Sequence, residues 1–152
     1  MSKIKFTQSG LDKMKLELQT IEGSRPEAVA ELKFAREMGD LSENAAYKVA
    51  RQKISRIDSR IRYLNKIIAQ AQVVEMRDTG RVEIGCNICV ECDGNRQEFQ
   101  IVGGHEVDIQ NKKISFFSPL GSAFLNKKIN DVVEVKTPIG IKKYIIISIF
   151  YI

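Results

Sequence analysis

Two carboxylates, those of Asp40 and Glu43, stand three residues apart in the short polar segment at residues 39–44. Carboxylate oxygens bind Mg²⁺, but two side chains are too few to hold the ion without further ligands. The pair is therefore not expected to make an intrinsic metalloenzyme, although it could share a Mg²⁺ with ligands of a partner. The same spacing fits a helix capping box, with Asp40 as the cap and Glu43 reaching back. Spacing alone leaves both interpretations open.

The elements that must position this segment are two long helical patterns, one on each side of it. Thr7 is a candidate N-cap for the first, and a capping pattern around Pro26 predicts a kink or a restart of that helix. No Gly or Pro occurs from residue 44 to 76, so the second arm is expected to be unbroken. The predicted seam positions of the two arms are Leu11, Met14, Leu18, Ile21, Val29, Leu32, Ala35 and Met38, then Ala50, Ile54, Ile57, Ile61, Leu64, Ile68 and Ala71.

A short turn between two such arms forces them to lie antiparallel, seam to seam. About 29 helical residues span roughly 43 Å at a rise of 1.5 Å per residue, which is longer than a small domain is wide. The sequence thus predicts an antiparallel coiled-coil hairpin over residues 1–76, with the acidic segment at its far end.

Basic residues are concentrated in the second arm, where residues 48–66 contain seven Lys or Arg and the single acid Asp58. The whole chain has a formal net charge of +5. A basic stripe suits contact with nucleic acid or with an acidic protein channel. An ordinary solvated helix face is an equally good account of the stripe taken by itself.

After a linker at residues 77–80, the composition becomes typical of short strands separated by turn residues. Ser118 and Pro119 have the types expected at the N-cap and first position of a short helix. Residues 81–152 are therefore predicted to form a small antiparallel β-sheet domain with one short helix, which makes the fold class α+β. The predicted strands are residues 81–84, 87–92, 96–102, 113–117, 132–136 and 142–151.

The cysteines Cys86, Cys89 and Cys92 have the spacing of half a metal site, but they lie in a predicted strand. Side chains three apart on a strand point to opposite faces, so only Cys86 and Cys92 share one. Packing by reduced thiols is therefore favoured over metal binding. No apolar run has the length of a signal peptide or a membrane span, so a cytoplasmic protein without membrane contact is expected.

Taken together, these residues resemble the Gre family of bacterial transcript-cleavage factors, and its GreA type more than its GreB type. The resemblance covers essentially the whole chain. It rests on GDLSENAAY at residues 39–47, RPE at 25–27, ARE at 35–37, IVG at 101–103, Ser118 with Pro119, and DVVEV at 131–135.

The resemblance implies an accessory protein of RNA polymerase that is not itself an enzyme. It has no cofactor of its own. Its coiled coil enters the secondary channel of a backtracked polymerase, where Asp40 and Glu43 help to bind a Mg²⁺ shared with the polymerase active site. Arg36 and Arg51 match positions proposed to meet the 3′ end of the nascent RNA. A second, FKBP-like domain docks at the channel rim through Ser118 and Pro119, although Phe117 replaces the usual Asp or Asn before that pair. A monomer is expected.

Two other classes of function remain open at this point. One is a non-catalytic coiled-coil module that binds RNA polymerase or nucleic acid, including a paralogue that occupies the channel and inhibits. Such an inhibitor is expected to have an altered tip, whereas both acids are present here. The other is peptidyl-prolyl isomerase activity suggested by the implied FKBP-like fold, which is disfavoured because fold does not determine function.

Overall fold

The computed structural model describes residues 3–39 and 44–151. It divides them into two compact units, residues 11–70 and residues 3–10 together with 71–151. None of the helices in these ranges is both long enough and apolar enough to cross a membrane.

The first unit contains most of two long helices, α1 (Gln8–Arg36) and α2 (Ala45–Gln70). Ion pairs between the arms show that they run antiparallel, because Glu17 contacts Arg60 while Glu31, further along α1, contacts Lys53, earlier in α2. The predicted hairpin is therefore confirmed. Its buried positions are Leu11, Met14, Ala28, Ala35, Ala50, Leu64 and Ile67.

Helix α1 differs from the expectation in its middle. It continues through Pro26 as one helix, so the predicted restart does not occur. The hydroxyl of Ser24 donates to the carbonyl of Ile21 at 2.7 Å in this turn. Val29 and Met38, predicted in the seam, are exposed: Ala28 is buried in place of Val29, and Met38 lies beyond the end of α1.

At the end of the hairpin opposite the acidic segment, α1 begins at a capping residue and α2 is followed by a strand. Thr7 caps α1 as predicted, its hydroxyl accepting the N–H of Gly10 at 3.1 Å. Helix α2 ends at Gln70, and the chain continues as strand β2 (Ala71–Val73), which pairs in parallel with strand β1 (Ile4–Phe6). The sequence predicted neither strand. Phe6 is completely buried, and its carbonyl accepts the N–H of Val74 at 2.9 Å.

A five-stranded sheet forms the body of the second unit, in the order β5-β4-β3-β7-β6. Its strands are β3 (Asn87–Cys92), β4 (Asn95–Val102), β5 (Lys113–Ser115), β6 (Val132–Thr137) and β7 (Gly140–Phe150). All neighbours are antiparallel except β4 and β5, which are parallel, so the sheet is mixed. The α+β fold class is confirmed. The predicted all-antiparallel sheet is wrong in one pair of strands, β4 and β5.

One predicted strand, residues 81–84, does not form. Arg81 makes a single bridge to Lys128, and the segment lies between Gly80 and Gly85, both with positive φ. Two glycines in left-handed conformations bend the chain out of the extended form at each end of the segment.

The core lies between the sheet and helix α3 (Pro119–Phe124). Phe124 of this helix packs on Tyr144 and Phe99, with ring centroids 5.4 and 6.0 Å away. Cys86 and Cys92 belong to the same core cluster. Cys89 is half-buried, because it lies on the face of β3 opposite to that of Cys92. The predicted packing role of Cys86 and Cys92 is confirmed, and burial raises the pKa of the Cys86 thiol.

Candidate functional site

Asp40 and Glu43 lie outside the described residues, so the geometry of the acidic segment is defined only by its two ends. Helix α1 ends at Arg36, and the N–H groups of Glu37 and Met38 still donate to carbonyls of its last turn at 3.2 Å. Gly39 follows with φ of 127°, a conformation that side-chain-bearing residues rarely adopt. The chain thus leaves the first helix at a glycine.

Asn44 joins the two helices at the base of the segment. Its Oδ1 accepts the N–H of Tyr47 at 3.0 Å, the contact of an N-cap with the third residue of α2. Its Nδ2 donates to the carbonyl of Ala35, near the end of α1, at 2.6 Å. The capping alternative gave the N-cap role to Asp40, but the N-cap of α2 is Asn44. Sequence reasoning missed this role, although Asn is among the preferred N-cap residues.

The two predicted RNA-contacting residues lie near this base. The Arg36 guanidinium lies over the ring of Tyr47, 6.0 Å from its centroid. Arg51 is four residues beyond Tyr47 on α2, so it projects from the same helix face. Both arginines are exposed. The structure therefore brings Arg36 against Tyr47 and places Arg51 about one helical turn further along α2.

The basic stripe has two parts with different surroundings. In the middle of α2, Lys53 pairs with Glu31 at 3.1 Å and Arg60 pairs with Glu17 at 2.7 Å. The only acid of the stripe, Asp58, accepts two hydrogen bonds from Arg25 of α1, which lower the pKa of its carboxyl.

Nearer the acidic segment, Lys48 and Arg51 form no ion pair with any described residue. The stripe thus mixes bases that pair with the first arm and exposed bases, Lys48 and Arg51 among them, that form no ion pair with a described residue.

In the second unit, Ser118 and Pro119 stand where the sequence analysis placed them, at the N-cap and first position of α3. The Ser118 hydroxyl accepts the N–H of Gly121 at 3.0 Å and donates to the carbonyl of Ser115 at 2.7 Å. A Cβ on Gly121 would lie 1.9 Å from that carbonyl oxygen, so the glycine permits this close approach. The loop is therefore held in one shape by hydrogen bonds of the Ser118 side chain to its backbone and by the close approach at Gly121.

An apolar pocket of about 450 Å³ opens beside this loop. Ser118 and Pro119 line it together with Leu120, Val135 and Tyr144, among others. Burial raises the pKa of the Tyr144 hydroxyl. The pocket offers an apolar surface next to Pro119, which suits contact with a protein partner.

Among the described residues, no group of three or more His, Cys, Asp or Glu side chains is arranged to hold a metal ion. Asp40 and Glu43 are not among these residues.

Comparison with known proteins gives the class and then the family. A model described as "Transcription elongation factor, N-terminal" matches residues 4–73. A second, described as "Transcription elongation factor, GreA/GreB, C-term", matches residues 77–151. The chain is 40% identical to transcription elongation factor GreA of Thermosipho melanesiensis over 149 residues, which cover 96% of each chain. It is 39% identical to GreA of Pelagibacter ubique over 158 aligned positions, with both chains fully covered. The protein belongs to the GreA/GreB family of transcription elongation factors, so the resemblance inferred from the sequence is confirmed.

Among solved structures, the GreA factor homolog 1 (Gfh1) of Thermus thermophilus matches with a TM-score of 0.46 and 28% identity. The match covers 97% of this chain and 98% of that one.

Proposed function

We propose that this protein is a transcript-cleavage factor that inserts the tip of its hairpin into the secondary channel of RNA polymerase. There it stimulates the polymerase to hydrolyse its own backtracked transcript, which rescues arrested complexes. The observation that carries the proposal is the presence of Asp40 and Glu43 in a segment whose ends are joined by Asn44 at the end of two paired helices. Helix α2 alone, at 26 residues, is about 39 Å long, which is enough to reach into a channel.

In this proposal the polymerase is the enzyme, and the factor has no cofactor of its own. A Mg²⁺ shared with the polymerase active site supplies charge stabilisation and an activated water for phosphodiester hydrolysis. Asp40 and Glu43 contribute carboxylate oxygens as ligands in trans. These two side chains are too few to hold the Mg²⁺, so the polymerase supplies the remaining ligands.

Arg36 and Arg51 are proposed to contact the 3′ segment of the nascent RNA. Both are exposed beside the acidic segment, and Arg51 has no ion pair with the described residues. Guanidinium groups at these positions neutralise phosphates without reading sequence, as suits a factor that acts wherever the polymerase stalls.

The β-sheet unit is proposed to dock at the channel rim through the loop at Ser118 and Pro119. Because the Ser118 hydroxyl is already used within the loop, its role is to hold Pro119 and the adjoining apolar pocket in shape. The factor then acts as a monomer in the cytoplasm, where the polymerase is found. The second candidate, a channel-occupying inhibitor, binds the polymerase in the same way but does not stimulate cleavage.

The test is a cleavage assay on backtracked elongation complexes, with Asp40→Asn and Glu43→Gln compared with the unmodified factor. We expect short 3′ RNA fragments from the unmodified factor. Each variant should lose roughly 100-fold in rate, since each ligand is asked to supply about 2.7 kcal/mol of transition-state stabilisation. Affinity for the polymerase, measured separately, should be retained.

Glu37→Gln is the matched control, since it removes a carboxylate close to the acidic segment but outside it, and it should cleave normally. Normal cleavage by Asp40→Asn would refute metal delivery. Binding of the unmodified factor without any cleavage would favour the inhibitor.

A further inference from the structure

A second cleft, separate from the pocket beside α3, lies where β1 meets the loop after β5. Its volume is about 440 Å³, and all of its lining residues belong to the second unit. Lys3 and Lys5 line one part of it, while His105, Phe116 and Phe117 line another. The sequence analysis names Phe117 only as the residue before the docking pair Ser118 and Pro119, and it gives the other lining residues no role.

Phe117 is the prominent apolar group of the cleft. Its side chain is 68% exposed, although a large aromatic ring gains most when it is removed from water. The ring is nevertheless held in place: Phe116 packs against it edge to face, with centroids 5.2 Å apart. A Cβ on Gly104 would lie 2.8 Å from the Phe117 ring, so the ring rests directly on the glycine. Because the ring is already held in one position, little side-chain conformational entropy is lost when a partner binds it.

Positive charge flanks this ring. Lys3 and Lys5 are exposed, and the Lys5 ammonium lies 5.5 Å from the centre of the Phe116 ring. Among the described residues that line the cleft, none is acidic. The nearby carboxylate of Glu106 accepts hydrogen bonds from the N–H groups of Thr7 and Gly103, at 2.9 and 3.1 Å. The surface of the cleft is therefore apolar with a cationic border.

We propose that this cleft binds an acidic protein segment that inserts an apolar side chain against Phe117 and places carboxylates near Lys3 and Lys5. Given the proposed function, on which this inference rests, the segment belongs to RNA polymerase. Phe117 directly precedes Ser118 and Pro119, so the cleft is continuous with the proposed docking loop. A held aromatic anchor with a charged rim is the usual composition of a protein-binding hot spot.

Single-stranded nucleic acid fits the cleft less well. Such sites offer a series of aromatic faces on which successive bases stack. Here Lys5 lies over the face of Phe116, and the His105 ring is stacked on Phe6 with centroids 5.9 Å apart. Phe117 is the one ring among the described lining residues that is mainly exposed without such a cover, and a single ring does not make a base-stacking track.

The test is equilibrium binding of the full-length factor to RNA polymerase from the same organism, at low and at moderate salt. Phe117→Ala should weaken binding at least about 10-fold, as expected for a central hot-spot residue. The double variant Lys3→Gln with Lys5→Gln should also weaken binding and should reduce its salt dependence. Gly104→Ala, which displaces the Phe117 ring without changing charge, should resemble Phe117→Ala.

Phe150→Ala is the control, since it removes another partly exposed phenylalanine of the same unit at the end of β7, and its affinity should be unchanged. If Phe117→Ala binds the polymerase as the unmodified factor does, the inference is overturned while the proposed function stands. If the unmodified factor does not bind the polymerase, the proposed function itself fails. A loss of affinity for a single-stranded RNA oligonucleotide that exceeds the loss for polymerase would assign the cleft to nucleic acid and overturn the inference.

Discussion

At the scale of single residues, Asn44 is the side chain that most directly shapes the candidate site. Its amide bonds in two directions, accepting from Tyr47 at the start of α2 and donating to Ala35 at the end of α1. An amide can do both because it carries an acceptor and a donor on one rigid group. Asn44 therefore fixes the distance between the two chain ends from which the acidic segment departs.

Asn44→Ala should lower the free energy of unfolding by about 1 kcal/mol through loss of the N-cap. It should also slow transcript cleavage more than it weakens polymerase binding, because small displacements of catalytic groups are costly. Hydrogen exchange at the amide of Tyr47 checks the structural part, and the cleavage assay checks the functional part.

Asn44→Asp is the matched variant, because it keeps the acceptor for Tyr47 but cannot donate to Ala35. It should keep the cap and the stability that the cap gives. Unchanged exchange at Tyr47 in Asn44→Ala would contradict the assignment of the cap.

The residues of the candidate site were largely accessible from the sequence, but their local roles were not. Residue types and spacing located the acidic segment, whereas Arg36 and Arg51 were named only through the family resemblance. The capping interpretation placed the N-cap at Asp40 and did not consider Asn44, although Asn is equally preferred at that position. Which one is used depends on where the helix begins, and the pairing of α2 with α1 decides that.

At the scale of elements, the hairpin is stabilised unevenly along its length. Small residues, Ala28, Ala35 and Ala50, occupy buried positions toward the acidic segment, and larger ones, Leu64 and Ile67, occupy those at the other end. Two ion pairs between the arms, Arg25–Asp58 and Glu17–Arg60, lie between these regions, and Glu31–Lys53 lies within the region of small residues. Exposed pairs of this kind add little stability but favour one register over others.

Gly23 allows a direct test of how much a glycine inside α1 lowers the stability of the protein. It lies inside α1 with nothing within 4 Å of the position that a Cβ would occupy. Gly23→Ala should therefore stabilise the protein by about 0.5–1 kcal/mol, since alanine loses less backbone entropy in a helix. Chemical denaturation followed by circular dichroism at 222 nm measures this.

Gly121→Ala is the contrasting variant, because its Cβ would meet the backbone carbonyl of Ser115, which cannot move aside. It should destabilise the protein by more than Gly23→Ala stabilises it. Equal effects of the two substitutions would show that the close approach at Gly121 is not as the structure has it.

Helix interiors and hairpin turns were predictable, whereas element ends were not. The heptad pattern predicted both arms, and Asp93 with Gly94, a pair typical of two-residue hairpin turns, connects β3 to β4 with positive φ at both residues. The pattern extended α2 past Gln70, but residues 71–73 pair with β1, which lies far away in sequence. A local pattern contains no information about that competing partner.

At the scale of the whole molecule, the first residues of the chain belong with its second half. Residues 3–10 group with residues 71–151, and Phe6 is completely buried. A Cβ on Gly103 would lie 2.0 Å from the carbonyl oxygen of Lys5, so β1 also lies directly against the loop that follows β4. The N-terminal strand is thus an integral part of the β-sheet unit.

Phe6→Ala should lower the free energy of unfolding by about 3–5 kcal/mol, the range for truncating a buried phenylalanine. The loss of hydrogen-exchange protection should appear in residues 71–151, distant in sequence from the substitution.

Phe34→Ala is the control, because that ring is 68% exposed on α1, and it should change stability by less than about 0.5 kcal/mol. Loss of protection confined to residues 11–70 in Phe6→Ala would contradict the grouping of β1 with the second unit.

The pairing of β1 with β2 also has a consequence for the order in which the protein is assembled during synthesis. Ile4 leaves the ribosome before the helical hairpin, but its partner Ala71 is made only after the entire hairpin. The hairpin can form as soon as its second arm emerges, whereas β1 must wait beside it, unpaired, until β2 follows. Since the pairing of β1 with β2 involves only residues 4–6 and 71–73, insertions or deletions that lengthen or shorten the two arms together leave that junction intact. The reach of the tip can therefore change in evolution without rebuilding the unit that carries it.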